Sequence, residues 1–310
     1  MLAIKDIAFV KYQSTDLDVM ERFLTDFGMV RSARTEGALY MRGYGPIHHI
    51  HVTEQGTSNR PLGFGVFAQR ESDLSKLAEQ TGLTVEDIDA PGGGRRVQLI
   101  DPSGFIVDVV HGQKTLAPLK HREPLEHNFA INRRRVNRNI RLGAAPSTVM
   151  RLGHVVLVVP DFRKSFQFYH DVLGMRPSDS YFAGSKENTV AAFMHCGLGS
   201  HYTDHHTVAL VAAQDGVARF DHSAFEVLDW DDVMQGNAHL QSKQYVHSWG
   251  VGRHIQGSQV FDYWRDPFGN KIEHWTDGDL VNEDSPVGVA ELSGDELKQW
   301  APPLNPGFFS

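Results

Sequence analysis

At 310 residues with 41% hydrophobic side chains, the chain is long enough for one large domain or two of ordinary size, each with a real core. Its formal net charge of −8 argues against a nucleic-acid partner, because phosphate binding rests on a basic surface. Cys196 is the single cysteine, which excludes an internal disulfide framework and any cysteine-based zinc or iron–sulfur cage, so a metal would have to use histidine and carboxylate.

The chain opens on MLAIKDIAFVKYQSTD, with Lys5 and Asp6 early and no long apolar run, which predicts no signal peptide, no membrane span and a cytoplasmic protein. Within IAFVKYQSTDLDVMERFLTDFGM a β-rich run leads to Asp16 as a helix N-cap. Leu17, Met20, Leu24 and Phe27 then fall on one helical face, and Gly28 is the stop. PLGFGVF (61–67) and DPSGFIVDVV (101–110) read as later strands, the second starting at an Asp-Pro-x-Gly turn in which proline fixes φ and glycine eases the reversal. The segment 113–148, with Pro118, Pro124 and Pro146, reads as a connection. Its basic run NRRRVNRNIR (132–141) reads as a solvated arm or subunit contact.

The second half repeats this order. HVVLVVPDFRKSFQFYHDVLGM gives a β-rich run, Asp161 as cap, Phe162, Phe166, Tyr169 and Leu173 at helical spacing, and Gly174 as stop. FDHSAFEV (220–227) then matches PLGFGVF, and DPFGNKIEHW (266–275) matches DPSGFIVDVV, so the chain reads as a duplication. The expected division is an N-terminal domain 1–112, a linker 113–148, a C-terminal domain 149–290 and a tail 291–310.

Residues that the halves do not share carry more information. His154 stands where the first half has Ala8 or Phe9, His222 faces Gly63, and Glu273 faces Asp108. A structural duty common to both copies cannot explain residues present in one alone, so a site is expected in the C-terminal half. Two neutral imidazoles and one carboxylate with open positions suit a non-haem Fe(II) oxygenase, and ligands so far apart in the chain require several strands to converge.

In GRHIQGSQVFDYWRDPFGNKIEHW (252–275), Gly252, His254, Tyr263, Asp266, Pro267, Gly269 and Glu273 form a pattern that resembles the signature of type I extradiol ring-cleaving dioxygenases of the vicinal oxygen chelate superfamily. Asp262, before the tyrosine, departs from the apolar residue usual there. The resemblance implies an α+β fold of two vicinal oxygen chelate (glyoxalase/bleomycin-resistance-like) domains. Each would be paired βαβββ modules forming a curved mixed sheet around a pocket, with the N-terminal copy inactive. It implies His154, His222 and Glu273 as ligands of Fe(II), with Mn(II) as an alternative, and His206 of TDHHTVAL as the acid–base residue with His205 as its neighbour. His254 and Tyr263 fall at the substrate oxygens, and Val156 fits an apolar oxygen pocket. The implied reaction is cleavage of a small aromatic diol by O2 to a muconic semialdehyde-type product, in a homo-oligomer, tetramer or octamer, by family analogy.

Trp249, Phe225 and the C-terminal WAPPLNPGFF are candidate apolar pocket material. Arg253 should point away from the pocket if His254 points in, which favours a neutral alkyl- or aryl-substituted catechol. His48, His49 and His51, in a half without ligands, read as structural, and His195 and His201 flank a glycine-rich turn with no nearby carboxylate. The competing readings are a glyoxalase-like metal-dependent isomerase and a non-catalytic ligand-sequestering protein of the same fold.

Overall fold

The computed structural model describes residues 2–292 and 297–309; the expected tail therefore includes positions, 293–296 and 310, outside the described residues. The first half folds as β1 (Ile4–Ser14), α1 (Leu17–Phe27), β2 (Val30–Arg34), β3 (Ala38–Arg42), β4 (His51–Gln55), β5 (Arg60–Ala68), α2 (Glu71–Thr81), β6 (Glu86–Asp87), β7 (Arg95–Ile100) and β8 (Ile106–His111). Its strands form one mixed sheet in the order β2-β3-β4-β1-β5-β8-β7-β6.

The second half supplies β9 (Val149–Val159), α3 (Phe162–Gln167), β10 (Met175–Phe182), β11 (Thr189–Cys196), β12 (Thr203–Asp204), β13 (Val208–Ala212), β14 (Arg219–Val227), α4 (Trp230–Ser242), β15 (Val246–Arg253), β16 (Val260–Arg265), β17 (Lys271–Thr276), β18 (Leu280–Val281) and β19 (Gly288–Glu291). Its main sheet runs β15-β16-β17-β14-β9-β13-β11-β10-β19, while β12 and β18 pair separately. Read from β10 to β15, this is the β2-to-β6 order of the first sheet again, with β19 added at the edge. The repeat seen in the sequence is thus a repeat of strand topology, and the fold is α+β with two large mixed sheets.

Local signals in the first helix act as their chemistry requires. The Asp16 carboxylate accepts from the amides of Asp18 and Val19, both at 2.9 Å, and Gly28 ends the helix at φ +113, a left-handed conformation that glycine adopts without a Cβ penalty. Leu17, Met20, Phe23, Leu24 and Phe27 are buried on one side. The matching helix of the second half differs: after Gln167 the chain widens into a π-helical turn over Phe168–Val172. Tyr169, fully buried there, donates to Asp101 in the first half at 2.9 Å.

Further contacts join the halves. Tyr12 and Ser223 share a hydrogen bond of 3.1 Å, the His274 ring stacks on Phe27, and His274 Nε2 donates to the Phe27 carbonyl at 2.7 Å. Between β8 and β9 the chain forms only isolated bridges, and Arg133, Arg134 and Arg138 of the basic run are exposed while Arg135 is half-buried. Arg122 anchors this segment through two bonds, 2.6 and 2.7 Å, to Asp229.

The registers settle which first-half residues answer the candidate ligands. Ala224 on β14 pairs with both His154 and Glu273, and Gly65 on β5 pairs with both Phe9 and Asp108. Phe9 therefore corresponds to His154, Asp108 to Glu273 and Gly63 to His222. In the first half the carboxylate meets a cation of the chain itself: Lys11 Nζ lies 2.8 Å from Asp108 Oδ2, and Gln98 donates to Oδ1 at 2.9 Å. Because both partners are buried, Lys11→Met should leave Asp108 with only the more distant Arg96, at 3.7 Å, as counter-charge and lower stability by about 3 kcal/mol in urea unfolding. Adding Asp108→Asn should restore part of that loss.

Candidate metal centre

Four adjacent strands build the centre. His154 on β9, Ala224 on β14, Glu273 on β17 and Tyr263 on β16 lie in one row across the sheet, and Trp249 on β15 extends it. His222 sits two residues from Ala224 on the same strand, and so on the same face. The methyl group of Ala224 leaves room between the larger groups, and three side chains distant in sequence converge over it.

Their ligand atoms lie within 4.8 Å of one another. His154 Nε2 is 3.3 Å and His222 Nε2 3.2 Å from the same oxygen, Glu273 Oε2. All three residues are buried, and neither Glu273 oxygen nor His222 Nε2 has a hydrogen-bond partner. Leaving such atoms dry and unpaired is costly unless a cation lies between them, so the donor set fits a divalent ion held by two imidazoles and one carboxylate. Burial opposes ionisation of Glu273, yet His154 and His222 beside it hold its carboxyl down at about 2, the charged form that a metal needs.

Asp221 orients one of these rings. Its Oδ2 accepts from His222 Nδ1 at 2.6 Å, which directs the Nε2 lone pair toward Glu273. Lys271 Nζ, 3.0 Å from both Asp221 oxygens, balances that carboxylate and lies 3.9 Å over the Phe308 ring. Burial works against the Asp221 charge, but His222 and Lys271 outweigh it and lower its pKa. Nothing in the sequence pattern marked Asp221 and Lys271; their pairing depends on adjacent registers of β14 and β17.

A cavity of about 160 Å³ opens beside the three residues. His206, His254 and Tyr263 line it, as do Val156, Trp249, Leu297 and Phe308. The His206 ring is 4.1 Å from that of His154, and His254 Nε2 is 4.0 Å from Glu273 Oε1. His254 Nδ1 donates to the Leu297 carbonyl at 2.6 Å, so Nε2 is the acceptor of the Tyr263 hydroxyl at 2.9 Å. Burial, reinforced by His154, His205, His254 and His222, pushes the His206 pKa well below its ordinary value. Burial, with Glu273 and Asp221, raises that of Tyr263. An uncharged base and an un-ionised phenol therefore face the cavity.

Phe225 is a correction. Expected in the pocket, it is one residue out of phase with His222 and Ala224, so strand alternation turns it to the opposite face. There it is fully buried against Phe27 and His51 of the first half. Asp262, out of phase with Tyr263, likewise avoids the pocket and accepts from Trp264 and Asn237. Arg253 stacks on Trp230 and bonds Asp277 at 2.6 Å, away from the cavity. His51 stacks on Tyr12 and His49 packs beside Phe9 and Tyr40, in structural positions.

Residues 151–274 match the model of the Glyoxalase/Bleomycin resistance protein/Dioxygenase superfamily. Metapyrocatechase 2 of Cupriavidus necator is 32% identical over 315 aligned positions, covering 99% of this chain and 92% of that protein. The chain belongs to the type I extradiol dioxygenases of the vicinal oxygen chelate superfamily. Within this family, an iron-dependent extradiol dioxygenase of Rhodococcus jostii is 25% identical across 92% of the chain and 93% of its own length. Among solved structures, homoprotocatechuate 2,3-dioxygenase from Arthrobacter globiformis has a TM-score of 0.80 at 21% identity, over 99% of this chain and 91% of that one. The Mn(II)-bound glyoxalase from Novosphingobium aromaticivorans gives 0.78 at 23%, over 100% and 98%. These two likenesses establish the shared fold. No helix among the described residues is long and apolar enough to cross a membrane.

Asp221→Asn should weaken divalent-metal affinity about 10- to 100-fold, measured by chelator competition, because His222 loses its orienting acceptor. Phe225→Ala should cost about 3–5 kcal/mol of stability yet leave the KM for substrate unchanged, which separates a core residue from a pocket residue.

Proposed function

We propose that this dioxygenase cleaves a catechol with O2 beside its two hydroxylated carbons, giving a muconic semialdehyde-type product, at a mononuclear Fe(II) held by His154, His222 and Glu273. The observation that carries this reading is the convergence of two imidazoles, both lining an apolar cavity, on an unpaired, buried carboxylate. Iron is favoured by the oxygen chemistry and by the iron-dependent relative, whereas the manganese-bound neighbour keeps Mn(II) as the alternative. When bound, the ion would supply one-electron chemistry with O2.

The protein's own groups do the rest. His206, uncharged in its buried setting, takes a proton from a catechol hydroxyl and later returns it to the departing oxygen. Tyr263 and His254 hydrogen-bond the substrate oxygens as charge gathers there, and their mutual bond holds both side chains in place beforehand. Val156, Trp249 and Phe308 exclude water from the cavity.

Among the described residues the cavity lining contains no lysine or arginine but does contain Asp221, so an acidic ring substituent would be buried without a counter-ion. That supports a neutral alkyl- or aryl-substituted catechol as substrate. A homo-oligomer rests on family analogy, and sedimentation velocity counts the subunits.

Anaerobic loading with Fe(II), followed by oxygen uptake and visible absorbance on a panel of catechols, tests the reading. Yellow product should form, fastest from neutral catechols. Glu273→Gln and His222→Ala should bind no iron and show no activity, whereas His206→Gln should keep its iron and lose about 100-fold in kcat. Isomerase activity without oxygen uptake would favour the glyoxalase-like alternative.

A further inference from the structure

His206 does not stand alone: its Nδ1 lies 3.1 Å from Nδ1 of His205, and His205 Nε2 lies 2.6 Å from Asp179 Oδ2. From this chain of contacts we infer that Asp179 and His205 are positioning residues that hold His206 as the Nδ1–H tautomer, leaving the Nε2 lone pair for the catechol hydroxyl. This rests on the ring-cleavage reading given above. The proton arithmetic is short. A carboxylate oxygen accepts, so a His205 ring with a single hydrogen carries it on Nε2. Its Nδ1 must then accept, and the one hydrogen between the two rings belongs to His206. When His206 takes up the catechol proton at Nε2, both of its nitrogens carry hydrogen, and the Asp179 carboxylate compensates the new charge through His205.

Duplication supplies a control within the same molecule. In the first half His48 and His49 make the same Nδ1-to-Nδ1 approach, at 3.0 Å, although Ser32 there meets the His48 ring at 3.3 Å, whereas Ser178 bonds the His205 backbone carbonyl. The paired rings are therefore part of the shared architecture. The carboxylate is not. β10 pairs with β11 through a register shift after Pro177, with Asp179 opposite Phe193; β2 pairs with β3 through the same shift after Arg31, with Ala33 opposite Tyr40. Alanine thus occupies the place of Asp179 in the half that has no ligand set.

The surroundings fix the geometry of His205. Its backbone amide donates to the Asp279 carbonyl at 3.0 Å, its carbonyl accepts from Ser178 Oγ, and a Cβ at Gly257 would come within 3.0 Å of its ring. β19, which has no counterpart in the first sheet, passes Asp179 at Gly288, where any side chain would collide with the carboxylate.

The test uses the iron-loaded full-length protein. Asp179→Asn keeps the size of the side chain but lets an amide donate to His205 Nε2, which reverses the hydrogen in both rings. Its kcat should fall about 100-fold, with catechol KM, iron per chain and thermal midpoint unchanged. Introduced into His206→Gln, the same change should cause no further loss, because residues that act through one another are not additive. His205→Phe removes the relay while filling the ring's space and should give the same pattern. An equal additional loss in the His206→Gln background, a loss of iron, or an unchanged kcat would each overturn the relay. A wild-type protein inert toward catechols overturns both readings, whereas an active wild type matched by the variants overturns the relay alone.

Discussion

A dry carboxylate facing two imidazoles, with no hydrogen bond to either of its oxygens, is the condition on which the rest of this structure turns. Removing a charge from water is expensive, and the two imidazoles that favour the charged form still leave both oxygens without a hydrogen bond. The second sheet accepts the cost at one point and arranges its neighbours accordingly. Asp221 turns His222 toward the carboxylate, Lys271 balances Asp221, and the apolar walls keep solvent from relieving the charge.

The sheet meets this demand through register alone. β14 lies between β9 and β17, so one small residue, Ala224, has a ligand on either side and a third two positions along its own strand. A one-residue slip in either ladder would send a ligand to the opposite face. The long strands and the contacts between halves, including the stack of His274 on Phe27 directly beside Glu273, hold those registers.

How much of this was legible in the sequence follows from which forces are local. Helix caps at Asp16 and Asp161 and the Asp-Pro-x-Gly turns are short-range signals and were readable. The candidate ligands could be singled out because the repeat offered a different residue for each, at Phe9, Gly63 and Asp108. Phe225 was misplaced because apolar character in a strand says nothing about the face it occupies; parity with His222 carried that information. The Asp221–Lys271 pair and the Asp179–His205 contact were invisible because they join strands whose adjacency only the fold establishes. The π turn at Phe168–Val172 keeps ordinary helical spacing in the sequence, and Tyr169 reaching across to Asp101 is a long-range bond.

The ammonium of Lys11 against Asp108 gives the two copies different dependencies. One copy carries its neutralising cation on one of its own side chains, covalently and permanently; the other leaves its carboxylate open to one from solution. The charge balance of the first sheet is therefore indifferent to metal supply, although its core is continuous with that of the second. The two repeats thus settle the same buried carboxylate position in opposite ways, one closed by the chain's own ammonium and one left without a hydrogen-bond partner.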